Sequence, residues 1–167
     1  MIWLWSATIV DYFVINIYLK YIPGSEFLNQ TIAGISEIAA HIVVGALISK
    51  LSPKWMFIIG YIMTAIGGAC LIFQETYADN VALVASFVLF AKFGASMAMC
   101  TCYVSTPFLF PVLLCGTAFG ICNLIGRTSA LSASVIAELT IPLPMMIFTV
   151  IAVLSIVVSF LLQTKIE

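Results

Sequence analysis

Long apolar stretches, separated by short breaks rich in proline, glycine or polar residues, run through the whole chain. Six are visible, at about residues 2–22, 29–50, 55–74, 81–105, 112–137 and 143–162. Pro23-Gly24-Ser25 ends the first, and Ser52-Pro53 divides the second from the third. Pro107 and Pro111 bound the fourth, and Pro142 and Pro144 precede the sixth. Each run is close to the roughly 20 residues that a membrane-crossing helix needs. Backbone in hydrocarbon must satisfy its own hydrogen bonds, so each run predicts a transmembrane helix. The runs are too long, and too free of alternation, for barrel strands. The first lacks the basic segment and small-residue cleavage site of a signal peptide. It carries Trp3, Trp5, Tyr18 and Tyr21 near its ends, which suits interfacial anchoring.

Composition narrows the function classes. The chain is 63% hydrophobic and 8% charged, with a mean hydropathy of +1.22, whereas soluble domains carry about 25% charged residues. That excludes a water-soluble enzyme and a disordered chain. Six basic against seven acidic residues leave no basic surplus for nucleic acid. The helices use about 120 residues, so residues 1–167 read as a single six-helix transmembrane domain with no soluble domain. The five cysteines fall inside apolar runs at irregular spacing and predict no disulfide framework. Cys100-x-Cys102 has no second pair to complete a zinc site. Without a Ser-His-Asp set, a phosphate-cradling loop or a metal set, no enzyme activity, cofactor or metal is expected. The sequon Asn29-Gln30-Thr31 touches the start of the second helix, too close to the membrane for glycosylation.

The loops specify orientation weakly. Lys50 and Lys54 flank the second turn and Lys165 follows the last helix, whereas Glu75, Asp79 and Glu138 fall in loops on the other side. Lysine-rich ends stay on the cytoplasmic or equivalent side, so both termini are expected there. Lys20 points the other way. The membrane itself, plasma or organellar, is left open.

The charges inside the helices are the most informative residues. Asp11 lies near the middle of helix one, Glu37 and His41 flank the middle of helix two, and Lys92 and Arg127 occupy the middles of four and five. An ionised group at that depth costs at least about 2.5–3.5 kcal/mol and survives facing a bundle interior or a wet cavity. Helices one, two, four and five are therefore expected to turn a face inward, leaving three and six against lipid. The pattern of two charged helices and one clean helix occurs twice. With an odd number of helices per unit, this predicts a 3+3 inverted repeat around a midplane site. Gly34, Glu37, His41 and Gly45 share one stripe; Lys92, Ser96, Cys100 and Tyr103 share another; Gly116, Gly120, Asn123 and Arg127 share a third, with Ser134 further along. These glycines are expected to allow close helix approach. Tyr12 and Asn16 form a polar pair beside Asp11. For Asp11, Glu37 and Lys92, a locked charge network and ligand binding are equal readings. Arg127 offers a planar fork for a carboxylate or sulfonate, and His41, of the residue type whose charge changes near neutrality, is a candidate for coupling protonation to transport.

These positions also resemble a known family. The chain is similar to the carboxy-terminal six-helix half of a major facilitator superfamily transporter, of the organic cation/anion solute-carrier type, from Leu4 to Lys165. GSEFLNQTIAGISEIAAHIVVGALISKLSPK resembles that family's eighth helix and following loop, with Gly34 to Glu37 on a G-x-x-[DE] motif. In the organic-anion branch a lysine falls at His41. AKFGASMA resembles the tenth-helix segment and supplies Lys92. Tyr103, Leu109, Pro111, Thr117 and Gly120 match the motif leading into helix eleven, whose end places Arg127 on the arginine of organic-anion members. Tyr12 falls on a tyrosine that lines the substrate cavity. FLLQTK looks like a worn F-L-L-P-E-T-K/L. The chain departs at Phe108 and Cys115, where the family carries an acid and an arginine, and in the loop from Gly45 to Lys54, which lacks an acid and two positive charges. Asp11 replaces a residue that is usually tyrosine.

The resemblance implies half of a major facilitator fold and secondary transport of a small organic anion. Arg127, His41, Tyr12, Lys92, Tyr103 and Asn123 are the candidate substrate residues, and Asp11, Glu37, Lys92 and Arg127 the candidate buried charge network. The expected partners are the lipid bilayer and a second six-helix half, a further copy of this chain, or other membrane subunits. The alternative is a non-transporting accessory subunit derived from a transporter half.

Overall fold

A computed structural model describes residues 1–22, 26–77, 80–140 and 142–162. The long elements are helices: α1 (Ile2–Tyr18), α2 (Glu26–Leu47), α3 (Pro53–Ile72), α4 (Val81–Leu109), α5 (Val112–Ala137) and α6 (Leu143–Phe160). Short 3-10 turns follow α1 at Leu19–Tyr21 and α3 at Gln74–Tyr77. Each stretch is long and apolar enough to cross a membrane, as expected of an all-α six-helix membrane fold. Three markers used above, Pro23-Gly24-Ser25, Asp79 and Lys165, lie outside the described residues.

Local chemistry sets the ends. Pro53 opens α3, where its missing N–H costs nothing because the first helical N–H groups have no intrahelical partner. α4 continues past Ser105 to Leu109 with Pro107 inside it. Pro107 has no N–H to give the Tyr103 carbonyl, and the helix runs only two residues further: the stop falls at Phe110, where the backbone turns extended before Pro111.

α1 packs against α4, α5 and α6, and α3 lies between α4 and α6. The largest fully buried side chains include Trp5, Tyr18, Phe57, Tyr61, Lys92 and Phe148. α3 buries Met56, Phe57, Tyr61, Thr64 and Leu71 on one face and leaves Trp55, Ile59, Ile62 and Ile66 exposed on the other. It packs closely on α4 because both helices are small where they meet. A Cβ on Gly67 would fall 2.5 Å from the Ala91 backbone nitrogen, and one on Gly94 would fall 2.5 Å from that of Thr64. By contrast, Gly34, Gly45, Gly116 and Gly120 have open space around them. The helix approaches assigned to that second set are made elsewhere.

Two charged contacts mark the ends of the bundle. Lys54 donates to the Phe160 carbonyl at 2.8 Å, which puts the α2–α3 turn beside the end of α6. At the other end Lys20 pairs with Glu138 at 3.3 Å, so the one basic residue opposing the orientation is partnered by an acid.

Candidate functional site

Four helices converge on a cavity of about 260 Å³. α1 contributes Ile9, Tyr12 and Phe13; α2 contributes Glu37 and His41; α4 contributes Met99 and Tyr103; α5 contributes Arg127. Glu37, His41 and Arg127 lie near the middles of α2 and α5, and Tyr103 six residues from the end of α4, so the ionisable groups share one hollow rather than separate faces.

One wall is a polar cluster. The Tyr12 hydroxyl donates to Glu37 Oε1 at 2.8 Å, and Lys92 Nζ approaches Glu37 Oε2 at 3.5 Å. Lys92 Nζ also donates to Asn16 Oδ1 at 2.6 Å and lies 3.7 Å from the centre of the Tyr12 ring. The lysine side chain is 1% exposed and the glutamate 32% exposed. Lys92 therefore neutralises Glu37 from behind, and the carboxylate alone reaches the cavity. The contact ties α1, α2 and α4 together.

The facing wall is basic. Arg127 Nε donates to Asn123 Oδ1 at 2.8 Å, one turn back on the same helix. That bond fixes the plane of the guanidinium and leaves its two terminal nitrogens as donors. Among the described residues no carboxylate forms an ion pair with it. His41 Nδ1 is 2.7 Å from the carbonyl of Glu37. A carbonyl only accepts, so Nδ1 carries the hydrogen and Nε2 is the nitrogen left to take a proton. Behind Tyr103, Trp5 and Phe119 complete an aromatic cluster with edge-to-face contacts at 5.0 and 5.2 Å.

Of the six candidate substrate residues, Arg127, His41, Tyr12 and Tyr103 thus line one cavity. Asn123 acts through Arg127, and Lys92 acts through Glu37 and Tyr12. The four-member charge network is not assembled as a unit: Glu37 and Lys92 meet, Arg127 bonds Asn123, and Asp11 joins neither. The stripe drawn along helix four also shifts. Cys100 packs with Ala40, Val44 and Met97, while Met99 takes the place facing the cavity. A spacing of 92, 96, 99, 103 follows the helical period more closely than one through residue 100. Asn16, Ile9 and Phe119 were not among the candidate site residues. Trp5, Ile9, Tyr12 and Asn16 share a 4-3-4 spacing on α1, which is the signal that would have found two of them. Among the described residues no group of three or more His, Cys, Asp or Glu side chains forms a metal site.

Asp11 points into the packed interior instead. It is 1% exposed, and among the described residues neither oxygen has a hydrogen-bond partner. Nearby polar groups are already engaged: Thr8 Oγ1 and the Tyr61 hydroxyl share a 2.6 Å bond, and both reach the Leu4 carbonyl. A buried polar group without a partner lowers stability, so Asp11→Leu is expected to stabilise the fold by about 1–2 kcal/mol. Thermal unfolding in detergent, followed by loss of helical circular dichroism, measures it. A destabilised variant would mean that the carboxyl has a partner in the membrane.

A scan against protein-family profiles finds no match. Comparison with curated proteins does. The chain is similar to transporters of solute carrier family 22. Mouse solute carrier family 22 member 4 is 29% identical over 130 residues, which is 78% of this chain and 23% of the relative. Bovine solute carrier family 22 member 16 is 24% identical over 97% of this chain and 29% of its own length. The human organic cation/carnitine transporter 2 is 23% identical over 78% of this chain and 23% of its own length. The chain therefore spans less than a third of the solute carrier family 22 proteins it matches. Members of that family are membrane transporters, which agrees with the six membrane-capable helices.

Proposed function

We propose that this chain is the carboxy-terminal six-helix half of a secondary transporter, and that it binds a small organic anion at mid-membrane depth. The observation that carries this reading is the contrast between the two walls of the cavity. Glu37 is already neutralised by Lys92 and held by Tyr12, while Arg127 presents a guanidinium to the same space without a carboxylate partner. A carboxylate or sulfonate would supply the missing acceptor in the bidentate geometry that arginine favours. Tyr12 and Tyr103 then flank an aromatic or aliphatic body, and Asn123 keeps the fork aligned. Because the names of the relatives include an organic cation/carnitine transporter, the charge preference has to be decided by Arg127 itself. Uptake of a labelled aromatic carboxylate and of a quaternary ammonium ion, by cells expressing the chain, separates the two. Arg127→Ala is expected to abolish carboxylate uptake with normal membrane insertion, and Arg127→Lys to restore part of it. Unchanged carboxylate uptake, or selective loss of the ammonium ion, would overturn the anion reading.

The helix pairings support the inverted repeat. Exchanging α1 with α4, α2 with α5 and α3 with α6 turns the α1–α5 contact into the α4–α2 contact, and the α3–α4 contact into the α6–α1 contact. The open glycines and polar residues on α2 and α5 support a second membrane unit over the cavity, because His41 and Arg127 are both exposed. Lys50 and Lys54 at one end, and the Lys20–Glu138 pair at the other, support termini on the cytoplasmic or equivalent side of the membrane.

A specific observation favours the second reading, a non-transporting membrane subunit. The gating charges of the resembled family are replaced by Phe108 and Cys115. Phe108 is 70% exposed, and it offers no charge at the end of α4. Purification of the native protein tests this reading: a fixed set of unrelated subunits, with no uptake after reconstitution, is its expected result.

A further inference from the structure

On the side of α2 away from Glu37, a second hollow opens between α2, α3 and α4. It measures about 370 Å³ and is lined by Ile35, Ala39, Met63, Leu89, Phe90 and Phe93, with Ser36 and Ser86 at its walls. Both hydroxyls have spent their hydrogen on backbone: Ser36 donates to the Leu89 carbonyl across the groove at 3.0 Å, and Ser86 donates to the Ala82 carbonyl at 2.8 Å. The groove therefore presents no free donor. Ile35–Ala39 and Met63 come from the middles of α2 and α3, and Ser86–Phe93 from the first half of α4, all helices long enough to span a bilayer, so the groove opens at hydrocarbon depth and reaches toward the tail ends. Its rim is apolar as well. Ile35 and Phe90 are exposed there, and Ile62 and Ile66 are exposed on the adjoining face of α3.

We propose that this groove is a lipid site that holds the end of a membrane-lipid acyl tail. Three features favour a tail over a protein partner. The exposed cation of α5, Arg127, and the exposed histidine of α2, His41, line the cavity and not the groove, so a protein partner finds those anchors there. The surface is small and lacks the tyrosine, tryptophan and arginine that anchor protein interfaces. A groove with small side chains along it (Ala39, Ser36, Ser86) would otherwise be empty, and its walls would lose their dispersion contacts. A flexible chain fills such a space without needing any hydrogen bond.

The test uses the full chain in phosphatidylcholine nanodiscs. A fraction of the lipid carries a diazirine at the end of one tail, and the adducts are mapped by peptide mass spectrometry. The control surface is the outer face of α6, where Val150, Val153, Leu154 and Val157 are exposed at similar depth. Severalfold more adduct on Ile35–Ala39 and Leu89–Phe93 than on Val150–Val157 is the expected result. Filling the groove with Ala39→Phe and Ser86→Leu is expected to remove the excess and leave the α6 signal unchanged. Equal labelling of the two faces in the wild-type chain overturns the proposal, even if the filled variant fails to fold. So does an excess that survives filling, or one given by a sterol photoprobe and not by the phospholipid.

Discussion

Glu37→Leu is expected to destabilise the fold by about 3–5 kcal/mol, the cost of leaving a buried charge without its partner. Lys92 is fully enclosed; without Glu37 it keeps one hydrogen bond to Asn16 and the face of the Tyr12 ring. Neither replaces a carboxylate. The reciprocal change is milder. Lys92→Met leaves Glu37 open to the cavity and still held by the Tyr12 hydroxyl, so water can reach it, and the expected loss is about 1–3 kcal/mol. The double variant Glu37→Leu/Lys92→Met removes both charges and is expected to recover most of the stability lost by Glu37→Leu. Unfolding of the four proteins in one detergent closes the double-mutant cycle. Equal costs for the two single changes would show that the enclosure of Lys92 does not persist in the membrane-embedded protein. The same cycle bears on the site, because Glu37 and Arg127 line one cavity.

How much of this was legible beforehand differs from residue to residue. The six helices could be read because an apolar run of about 20 residues has few other structures open to it. The cavity could be read because ionisable residues at mid-helix depth have few places to go, and Tyr12, His41, Tyr103 and Arg127 do converge. Asp11 and Tyr12 show the limit. They are neighbours in sequence and both polar, yet a step of one residue turns a helix far enough to put one in the cavity and the other in the sealed interior. Nothing in the local pattern separates them. The glycines show a second limit. Gly116 and Gly120 on α5 look the same in sequence as Gly60 and Gly67 on α3, but only the latter meet another helix. Which glycine is a contact depends on packing that the apolar pattern does not encode.

Gly94→Ala is expected to destabilise the fold by about 3 kcal/mol, near the top of the usual range for overpacking. Its added Cβ would lie 2.5 Å from the Thr64 nitrogen and 2.7 Å from the Gly60 carbonyl oxygen. These are backbone atoms of α3 and no rotamer relieves the overlap, so the helices must move apart. Gly67→Ala meets the Ala91 backbone in the same way. The two changes push on one helix pair, so their double variant is expected to lose less than the sum. Gly120→Ala is the control: nothing lies within 4 Å of its added Cβ, and better helix propensity is expected to stabilise the isolated chain by about 0.5–1 kcal/mol. Thermal unfolding of the three single variants checks the order. A Gly94→Ala protein as stable as Gly120→Ala would mean that α3 and α4 are not in contact at this crossing. The displacement also reaches the cavity, because α4 carries Lys92, Met99 and Tyr103. A substitution buried between α3 and α4 is therefore expected to weaken carboxylate uptake without touching a residue that lines the site.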